Sequence, residues 1–389
     1  MPRFGISSSS RVLEQKTRHL VKHKMDISAA VARTPGGPLY LETLQLDEPH
    51  DDEVVVRVVA AGVCHTDIVV RDQVLPTPLP LVLGHEGSGI VERVGRAVRA
   101  LSPGDAVVMS FDSCGTCRSC HEAAPAYCYR FRALNFAGSR QDGTTGLSCN
   151  GERIHGHFFG QSSFATHALC RERSLVKVPR DVPLELLGPL ACGIQTGAGA
   201  VLNALRVRPG NSLVVFGVGS VGLAAILAAR AAGATCIIAV DRNRSRLQLA
   251  HELGATHILD AALPSIDAAV IDLTQGGADF SFDTTGLPTV IKTAVLSLAP
   301  RGLCGIVGAS APGTDIKLDE VHFMSGGRRL MGIVEGSAVP ANFIPKMLAM
   351  HRAGLFPFDR LVRFYPFNQI NQAIRDSELG TVIKAVVTM

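Results

Sequence analysis

The first part of the chain is built from short apolar runs that are broken by glycine and proline. EVVVRVVAAGV at residues 53–63, GSGIVERVG at 87–95 and SPGDAVVMSF at 102–111 contain β-branched residues and are bounded by turn-forming residues. This pattern predicts short strands joined by tight turns. We therefore expect residues 28–190 to form a small, mostly antiparallel, barrel-like β domain.

The pattern changes near Cys192. SLVVFGVGSVGLAAILAARAAGA at 212–234 predicts an apolar strand, a glycine turn and an alanine-rich helix, and CIIAVD at 236–241 predicts the next strand. Alternating strands and helices indicate a parallel sheet covered by helices. The predicted fold class is therefore α/β, with a doubly wound Rossmann domain over residues 191–333. The chain then returns to the first domain over 334–389 and ends in the strand TVIKAVVTM.

The composition is that of a globular protein, with 47% hydrophobic and 19% charged residues in a chain of 389. The net charge of +4 is too small to indicate a nucleic-acid partner. No uncharged apolar stretch is long enough for a membrane-spanning helix, so we expect no membrane partner. Ten cysteines, several of them clustered, favour metal binding over disulfides and a reducing, cytoplasmic location.

Residues 1–27 are predicted to be a disordered extension. MPRFGISSSSRVLEQKTRHLVKHK at its start contains serines, basic residues and one acid, Glu14, and so resembles an organelle transit peptide. The interpretation that we favour is that Met25 is an alternative start and that the residues before it do not belong to the folded protein.

A glycine-rich turn marks the start of the predicted Rossmann domain, where G-x-G-x-x-G at 217–222 lies between a strand and a helix. In that context the glycines allow a dinucleotide pyrophosphate to approach the helix N-terminus; a turn without a ligand is the alternative. Asp241, 19 residues after Gly222, favours NAD because a carboxylate there binds the ribose and repels a 2′-phosphate, although Arg242 could tolerate one. The predicted cofactor contacts are Gly217, Gly219, Ser220, Val221, Gly222, Asp241, Arg242 and Arg246.

Four cysteines lie within 15 residues, at Cys114, Cys117, Cys120 and Cys128. Four thiolates satisfy tetrahedral zinc completely, and such a closed site is structural rather than catalytic. A nucleic-acid-binding zinc ribbon is an alternative, but the segment has no second C-x2-C pair at ribbon spacing and few basic residues. We therefore predict a structural zinc that holds this segment together.

A second metal site is indicated by Cys64, His85 and Cys192. Cys64 begins the run Cys64-His65-Thr66-Asp67, His85 and Glu86 lie in a glycine-flanked turn, and Cys192 precedes the glycine-rich turn. Two cysteines and a histidine with an open fourth position form a known catalytic zinc site. Taken singly, each could equally be a core cysteine or a turn histidine, and the spacing alone does not decide.

Several stretches together resemble the zinc-dependent medium-chain alcohol dehydrogenase family over residues 28–389. They occur in the family's order and are AGVCHTD, GHEGSGIVERVG, CGTCRSC, GTTGLSCNGERIHGHFFGQSSFATHA, ACGIQTGAG and VFGVGSVG. The C-terminal stretch FPFDRLVRFYPFNQINQAIRDSELGTVIKAVV is most similar to the aryl-alcohol (benzyl alcohol) branch, with geraniol dehydrogenases close to it. The resemblance implies a GroES-like catalytic domain, two zinc ions, NAD and a homodimer or homotetramer.

The resemblance also implies the roles of individual residues. Cys64, His85 and Cys192 would bind the catalytic zinc. Glu86 would either lie just behind these ligands or be a transient ligand, and Asp67 would orient His85 or tune the electric field at the metal. Thr66 would take the proton of the alcohol, while zinc acts as a Lewis acid and hydride passes to nicotinamide. His65 and Lys384 would lie near the cofactor phosphates, and Thr196 and Val221 beside the nicotinamide. The candidate residues of the apolar substrate pocket are Leu75, Phe111, Phe158 and Phe159.

One position departs from the family pattern. Many relatives have a histidine five residues after the first zinc cysteine, at the end of a proton relay, and this chain has Val69 there. The relay would end at a cofactor ribose hydroxyl and water, or pass through His65. Two rival functions are a glutathione-dependent formaldehyde dehydrogenase, for which Leu75 lacks the required acid although Arg132 could supply the arginine, and an inactive zinc- and nucleotide-binding protein.

Overall fold

The computed structural model describes residues 24–389. The strands are β1 (Met25–Ala32), β2 (Leu39–Leu46), β3 (Glu53–Gly62), β4 (Leu81–Val82), β5 (Gly87–Val94), β6 (Ala106–Met109), β7 (Leu147–Cys149), β8 (Glu152–Ile154), β9 (His167–Arg171), β10 (Leu175–Lys177), β11 (Ser212–Phe216), β12 (Cys236–Asp241), β13 (His257–Asp260), β14 (Ala278–Asp283), β15 (Leu298–Ile306), β16 (Arg329–Gly332), β17 (Val362–Pro366) and β18 (Lys384–Thr388). The α-helices are α1 (His65–Arg71), α2 (Arg118–His121), α3 (Phe131–Asn135), α4 (Gly193–Gly199), α5 (Ser220–Ala231), α6 (Arg244–Leu253), α7 (Ile266–Thr274), α8 (Pro288–Leu296), α9 (Glu320–Ser325), α10 (Pro340–Arg352) and α11 (Ile370–Leu379). Short 3-10 turns include Pro125–Tyr127, Phe158–Gly160 and Glu335–Ser337, and a π-helical turn covers Ala200–Leu205.

The β-rich part contains two sheets. One has the strand order β4-β1-β2-β7-β8, and the other has the order β10-β6-β5-β3-β18-β17, with β9 also paired to β3. Most of these pairings are antiparallel, although β17 and β18 run parallel. Strand β3 lies at the centre because its valines are buried on both faces, with Val54, Val55 and Val56 fully inaccessible.

The nucleotide-binding part is a parallel sheet in the order β13-β12-β11-β14-β15-β16. This is the doubly wound order of dinucleotide-binding domains, in which ligands bind at the carboxyl ends of the strands, where the strand order reverses. The apolar strands β11 and β12 are buried on both faces, as parallel strands covered by helices require. Helix α5 buries every residue from Gly222 to Ala229, so its alanines allow close packing on the sheet. The predicted fold class is confirmed.

The C-terminal segment rejoins the β-rich part. Strand β18 pairs antiparallel with β3, through Val386 opposite Gly62 and Val387 opposite Ala61. Lys384 is thereby placed beside the end of β3, from which the Cys64 segment begins. The approach of these distant segments is what assembles the site described below.

The predicted N-terminal extension is three residues too long. Residues Met25–Ile27 belong to β1, where Met25 pairs with Leu46 and Ile27 with Leu44. Ile27 is 3% exposed and belongs to the apolar core of the first sheet. The predicted disorder of residues 1–23 falls outside the described residues. Within residues 24–389, no helix is long and apolar enough to cross a membrane.

Candidate active site

The three predicted catalytic zinc ligands come together from separate elements. Cys64 precedes the first turn of α1, His85 lies in the turn before β5, and Cys192 immediately precedes α4. Their ligand atoms and a carboxylate oxygen of Glu86 all lie within 4.8 Å of one another. The His85 Nε2 atom is buried and has no hydrogen-bond partner. A buried nitrogen without a partner, grouped with two thiols, fits a zinc ion.

Asp67 holds the other nitrogen of His85. The His85 Nδ1 atom lies 2.9 Å from Asp67 Oδ1, and both side chains are almost completely buried. Asp67 also accepts hydrogen bonds from the backbone N–H groups of Gly84 and Cys64, at 3.0 Å each. Burial acts against a charged His85 ring, but the charges and hydrogen bonds of Asp67 and Cys64 together outweigh it and raise the pKa of His85. Since Nδ1 is bound to Asp67, Nε2 is left for a metal.

Gln161 fixes the turn that carries His85, and the sequence analysis did not identify it. Its amide Nε2 donates to the carbonyl oxygen of His85 at 2.9 Å, and its Oε1 accepts from the backbone N–H of Gly87 at 3.0 Å. Gln161 is 2% exposed. An amide between apolar residues in HFFGQSSF is the only feature of the sequence that marked it.

Glu86 and Lys384 form a buried ion pair beside the metal ligands. Lys384 Nζ donates to both Glu86 carboxylate oxygens at 2.9 Å and to the Val63 carbonyl at 3.0 Å. Burial raises the pKa of Glu86 to about 7, although the Lys384 charge acts in the opposite direction. The three donors of Lys384 are therefore used inside the protein. The predicted contact of Lys384 with a cofactor phosphate would require this ion pair to open, and it stays a prediction.

Glu335 is a second buried carboxylate at the site, and the sequence analysis missed it. Its Oε1 atom lies 3.5 Å from Cys192 Sγ, and Gln195 Nε2 donates to its Oε2 atom at 3.3 Å. Burial raises the pKa of Glu335 to about 7. The only available feature was an acid just after an apolar strand, in MGIVEGS.

The remaining residues of the Cys64 segment lie on α1 rather than in a loop. Thr66 Oγ1 lies 3.9 Å from Cys64 Sγ and is half-buried, which places the hydroxyl beside the metal ligands. His65 is exposed, and Val69 is half-buried on the same helix. The exposed His65 imidazole is therefore the immediate neighbour of Thr66 in the chain.

Aromatic rings pack directly against His85. The Phe159 ring is stacked on the imidazole with centroids 4.5 Å apart, and the Phe158 ring meets it edge-on at 5.4 Å. Phe158 is fully buried and Phe159 is 4% exposed. Phe159 has φ +49, a left-handed conformation that a bulky residue rarely adopts. The turn Phe158–Gly160 therefore presents both rings to the metal-ligand side.

The other predicted pocket residues belong to the same apolar cluster. Phe111 is 4% exposed, and Leu75 packs against the cluster from a half-buried position. Two rings that the sequence analysis did not select extend the cluster, because Phe136 lies 5.0 Å from Phe159 and Phe131 lies 5.7 Å from Phe111, between centroids. An apolar aromatic wall therefore borders His85.

The four clustered cysteines form a separate site. Their Sγ atoms approach to 3.9 Å between Cys114 and Cys120, 3.6 Å between Cys117 and Cys120, and 3.9 Å between Cys117 and Cys128. Four thiolates around zinc at about 2.3 Å would be about 3.8 Å apart, so the spacing fits the ion. Hydrogen bonds from Thr116 lower the pKa of Cys114 to about 5, which favours a thiolate ligand.

The predicted cofactor residues border a cleft of about 650 Å³ at the carboxyl ends of the parallel strands. Gly217 has φ +85, and a Cβ atom on Gly222 would lie 2.0 Å from the Gly217 carbonyl oxygen, so both positions require glycine. Five of the predicted cofactor contacts border this cleft: Gly217, Gly219, Asp241, Arg242 and Arg246. Ser220 and Val221 form the first turn of α5, directly after Gly219. Thr196 is nearly buried on α4.

Asp241 is held rigidly at the end of β12. Its Oδ2 atom accepts from the Val218 N–H and its Oδ1 atom accepts from the Asn243 N–H, at 2.8 Å each. Arg242 is exposed and projects from the next position. The carboxylate is thus fixed against the glycine turn, where an adenosine ribose would lie.

Comparison with known proteins identifies the family. Residues 50–180 match the alcohol dehydrogenase GroES-like domain, and residues 220–351 match the zinc-binding dehydrogenase domain. The chain is 52% identical to geraniol dehydrogenase of Castellaniella defragrans over 92% of this chain and 96% of that one.

Two solved structures are similar over 94% of this chain. An alcohol dehydrogenase zinc-binding domain protein from Burkholderia ambifaria is 51% identical, with a TM-score of 0.93 and 100% of that chain covered. Benzyl alcohol dehydrogenase from Acinetobacter calcoaceticus is 48% identical, with a TM-score of 0.92 and 99% covered. The chain therefore belongs to the zinc-dependent medium-chain alcohol dehydrogenase family, as its sequence motifs indicated.

Proposed function

We propose that the protein oxidises primary benzyl-type or allylic alcohols to aldehydes with NAD, reversibly. The observation that carries this proposal is the cluster of phenylalanine rings packed on His85, which makes the surroundings of the predicted metal ligand apolar and aromatic. Such surroundings favour a π system next to the reacting carbon over a short alkyl group. Its relatives named geraniol and benzyl alcohol dehydrogenase support the same substrate class.

The chain supplies the positions that this reaction needs. When bound, zinc supplies a Lewis acid for the alcohol oxygen, and NAD supplies the hydride acceptor. Cys64, His85 and Cys192 would hold the metal, and Asp67 keeps His85 in the tautomer with Nε2 free. Thr66 is placed to accept the proton of the alcohol hydroxyl beside Cys64. The phenylalanine pair would exclude water from the reacting atoms.

The proton that Thr66 accepts needs a route to water that does not use residue 69. Val69 has no titratable group, so we propose that the proton passes to a cofactor ribose hydroxyl or to the exposed His65. This exposed imidazole is next to Thr66 in the same helix, and an imidazole can both accept and donate a proton.

NAD is the proposed cofactor rather than NADP. The Asp241 carboxylate is fixed by two backbone N–H groups and would accept hydrogen bonds from the ribose hydroxyls. A 2′-phosphate would meet that charge at close range, which is unfavourable. Among the predicted contacts, Arg242 and Arg246 both border the cleft and would act in the opposite direction.

A second zinc and a homo-oligomer complete the proposal. The four clustered cysteines would hold a structural zinc, as their sulfur spacing supports. The edge strand β16 exposes Met331, and Val321 and Met324 on α9 are each 64% exposed. An unpaired edge next to exposed apolar side chains favours pairing with another copy, in a homodimer or homotetramer. All ten cysteines are free, which supports a reducing location.

The glutathione-dependent alternative has less support. Leu75 packs in the apolar cluster and offers no charge for glutathione, and Arg132 is exposed. A solved structure to which the chain is 48% identical is a benzyl alcohol dehydrogenase. The inactive alternative conflicts with a complete Cys64, His85 and Cys192 set.

A substrate panel tests the proposal through NADH absorbance. Benzyl alcohol and geraniol should exceed ethanol in kcat/KM by at least about tenfold, since each buried CH₂ contributes roughly 0.8 kcal/mol. The Cys192→Ser variant is the control for zinc-dependent turnover. Equal kcat/KM values for ethanol and benzyl alcohol would contradict the proposed pocket. Formaldehyde oxidation that depends on glutathione would favour the alternative.

A further inference from the structure

The turn Glu335–Ser337 at the candidate active site has an unusual backbone conformation. Three successive residues have positive φ, at +48 for Glu335, +63 for Gly336 and +50 for Ser337. Two of them are not glycine. Left-handed conformations cost free energy at non-glycine positions and are retained mainly where the surrounding structure enforces them.

Close packing enforces the conformation of this turn. A Cβ atom on Gly336 would lie 2.4 Å from the Gln195 carbonyl oxygen, and one on Gly199 would lie 2.4 Å from the Gly336 oxygen. The turn is therefore pressed backbone to backbone against α4. From the other side, Tyr127 of the four-cysteine segment forms a hydrogen bond of 2.7 Å with Ser337 Oγ. The turn is fixed between the two predicted metal-binding regions.

The result is a buried carboxylate without a matching cation. Glu335 is 7% exposed, and its contacts are Gln195 Nε2 at 3.3 Å and Cys192 Sγ at 3.5 Å. Within residues 24–389, no lysine, arginine or histidine lies within ion-pair distance of it. Glu86, the other carboxylate beside Cys192, has Lys384. A zinc ion on Cys192 would be a nearby cation, but its two positive charges are already offset by the Cys64 and Cys192 thiolates, so a further buried acid still needs a compensating group.

The position of Glu335 indicates what that compensating group is. Glu335 follows β16 at the carboxyl end of the parallel sheet, where cofactors bind. Helix α4 contacts the Glu335 turn on one side and helix α5, which follows the glycine turn, on another. The contact with α5 is close, because a Cβ atom on Gly197 of α4 would lie 2.0 Å from the Val221 carbonyl oxygen. A dinucleotide that extends from the glycine turn toward Cys192 would bring its nicotinamide to the side of α4 on which Glu335 lies.

We propose that Glu335 faces the nicotinamide ring and selects the oxidised cofactor. This inference rests on the proposed function, because it takes NAD as the cofactor. The nicotinamide ring is positively charged in NAD⁺ and neutral in NADH. In a water-poor site a carboxylate attracts a nearby cation strongly and discriminates against the neutral form. Glu335 therefore favours binding of the form that accepts hydride from the alcohol.

Dissociation constants of the two cofactor forms test this directly. The chain contains no tryptophan, so the fluorescence of NADH can be followed without overlapping tryptophan emission, and NAD⁺ is measured by competition. Glu335→Gln keeps the size of the side chain and removes its charge. We expect Kd for NAD⁺ to rise at least about tenfold, equivalent to about 1.4 kcal/mol, while Kd for NADH stays within about twofold. Zinc content should match that of the wild-type protein.

Two variants serve as controls. Glu335→Asp keeps the charge but moves the carboxylate one methylene farther from the proposed nicotinamide position. The ratio of Kd for NAD⁺ to Kd for NADH should therefore rise by about threefold. It also decides the question if Glu335→Gln fails to fold. Tyr127→Phe removes the hydrogen bond to Ser337 without changing charge, and should affect both Kd values equally.

An equal change, or no change, in both Kd values of Glu335→Gln would overturn the inference and leave Glu335 with a structural role. If the wild-type protein forms NADH from benzyl alcohol in that case, the proposed function stands and the inference alone fails. If the wild-type protein binds neither NAD⁺ nor NADH, the proposed function itself fails.

Discussion

Lys384 Nζ lies 2.9 Å from both carboxylate oxygens of Glu86, and both side chains are almost completely buried. The two residues come from opposite ends of the chain, on β18 and in the turn before β5. The pair compensates the charge of a carboxylate that lies within 4.8 Å of the predicted zinc ligands. Lys384 therefore keeps an acid next to the metal site without leaving a net charge there.

Removal of Lys384 alone should be costly. Lys384→Met leaves Glu86 buried without its cation and should lower the free energy of unfolding by about 3–5 kcal/mol. The double variant Glu86→Gln with Lys384→Met should recover much of this loss, because no unpaired charge remains. Denaturant unfolding followed by circular dichroism measures both. A double variant that is as unstable as the two single variants added together would contradict a direct interaction.

The two predicted zinc sites should respond differently to the loss of one thiol. Cys117→Ser should lower stability and yield misfolded protein, because binding of structural zinc is coupled to folding. Cys192→Ser should keep the fold and abolish turnover. Metal analysis should give two zinc ions per chain in the active wild-type protein. One zinc per chain in fully active protein would contradict the prediction.

Thr66 should be essential for proton removal from the alcohol, because no histidine at position 69 can replace its hydroxyl. Thr66→Val keeps the shape of the side chain and should reduce kcat at least about a hundredfold, within the range for a lost proton-transfer group. Thr66→Ser keeps the hydroxyl and should cost far less. Steady-state kinetics with benzyl alcohol compare the two variants. Thr66→Val with most of its activity intact would rule out this role.

Asp241 should determine the preference between NAD and NADP. Asp241→Ala removes the charge that repels a 2′-phosphate and leaves the exposed Arg242 free to meet it. We expect the ratio of kcat/KM for NAD to that for NADP to fall at least about tenfold, equivalent to about 1.4 kcal/mol. The same ratio in Arg242→Ala should rise. A wild-type protein that prefers NADP would show that Arg242 dominates over Asp241.

A second buried ion pair, between Arg140 and Glu53, predicts a pH-dependent change in stability. Arg140 lies 2.7 Å from Glu53, and both side chains are less than 10% exposed. Burial acts to raise the pKa of Glu53, but Arg140 and its neighbours outweigh this, and the pKa is lowered. A lowered carboxyl pKa stabilises the folded state above the unfolded-state pKa, and the contribution is lost as the pH falls through the folded-state pKa.

Arg140→Met should change the pKa of Glu53 from a lowered to a raised value. Without the Arg140 charge and hydrogen bonds, burial should outweigh the remaining effects of His157 and the His50 N–H, and the pKa of Glu53 should rise. The variant should then be destabilised by about 3 kcal/mol at pH 8 and by less at pH 5, where protonation of Glu53 removes the buried charge. Thermal unfolding midpoints of the variant and the wild-type protein at both pH values measure this. A deficit that does not change with pH would contradict it.

Local sequence determined much of the fold and of the chemistry. Alternating apolar runs specified the β-rich part, and the strand–glycine turn–helix pattern at 212–234 specified the start of the Rossmann sheet. Helix α6 begins after Asn243, whose side chain accepts hydrogen bonds from the first turn, and it ends at Gly254, which has a positive φ. Both signals depend only on neighbouring residues. The four cysteines are close in the chain, so their spacing alone indicates a closed metal site.

Tertiary structure alone decided which buried polar groups meet. Gln161 reaches His85 across 76 residues, Cys192 meets Glu335 across 143, and Lys384 meets Glu86 across 298. Hydrophobic periodicity reports whether a side chain is buried, but it carries no information about its partner. The partner is set by strand register and by the return of β18 to β3. For that reason the sequence did not indicate Glu86 as the partner of Lys384, Met25–Ile27 were placed outside the fold, and Glu335 was not noticed at all.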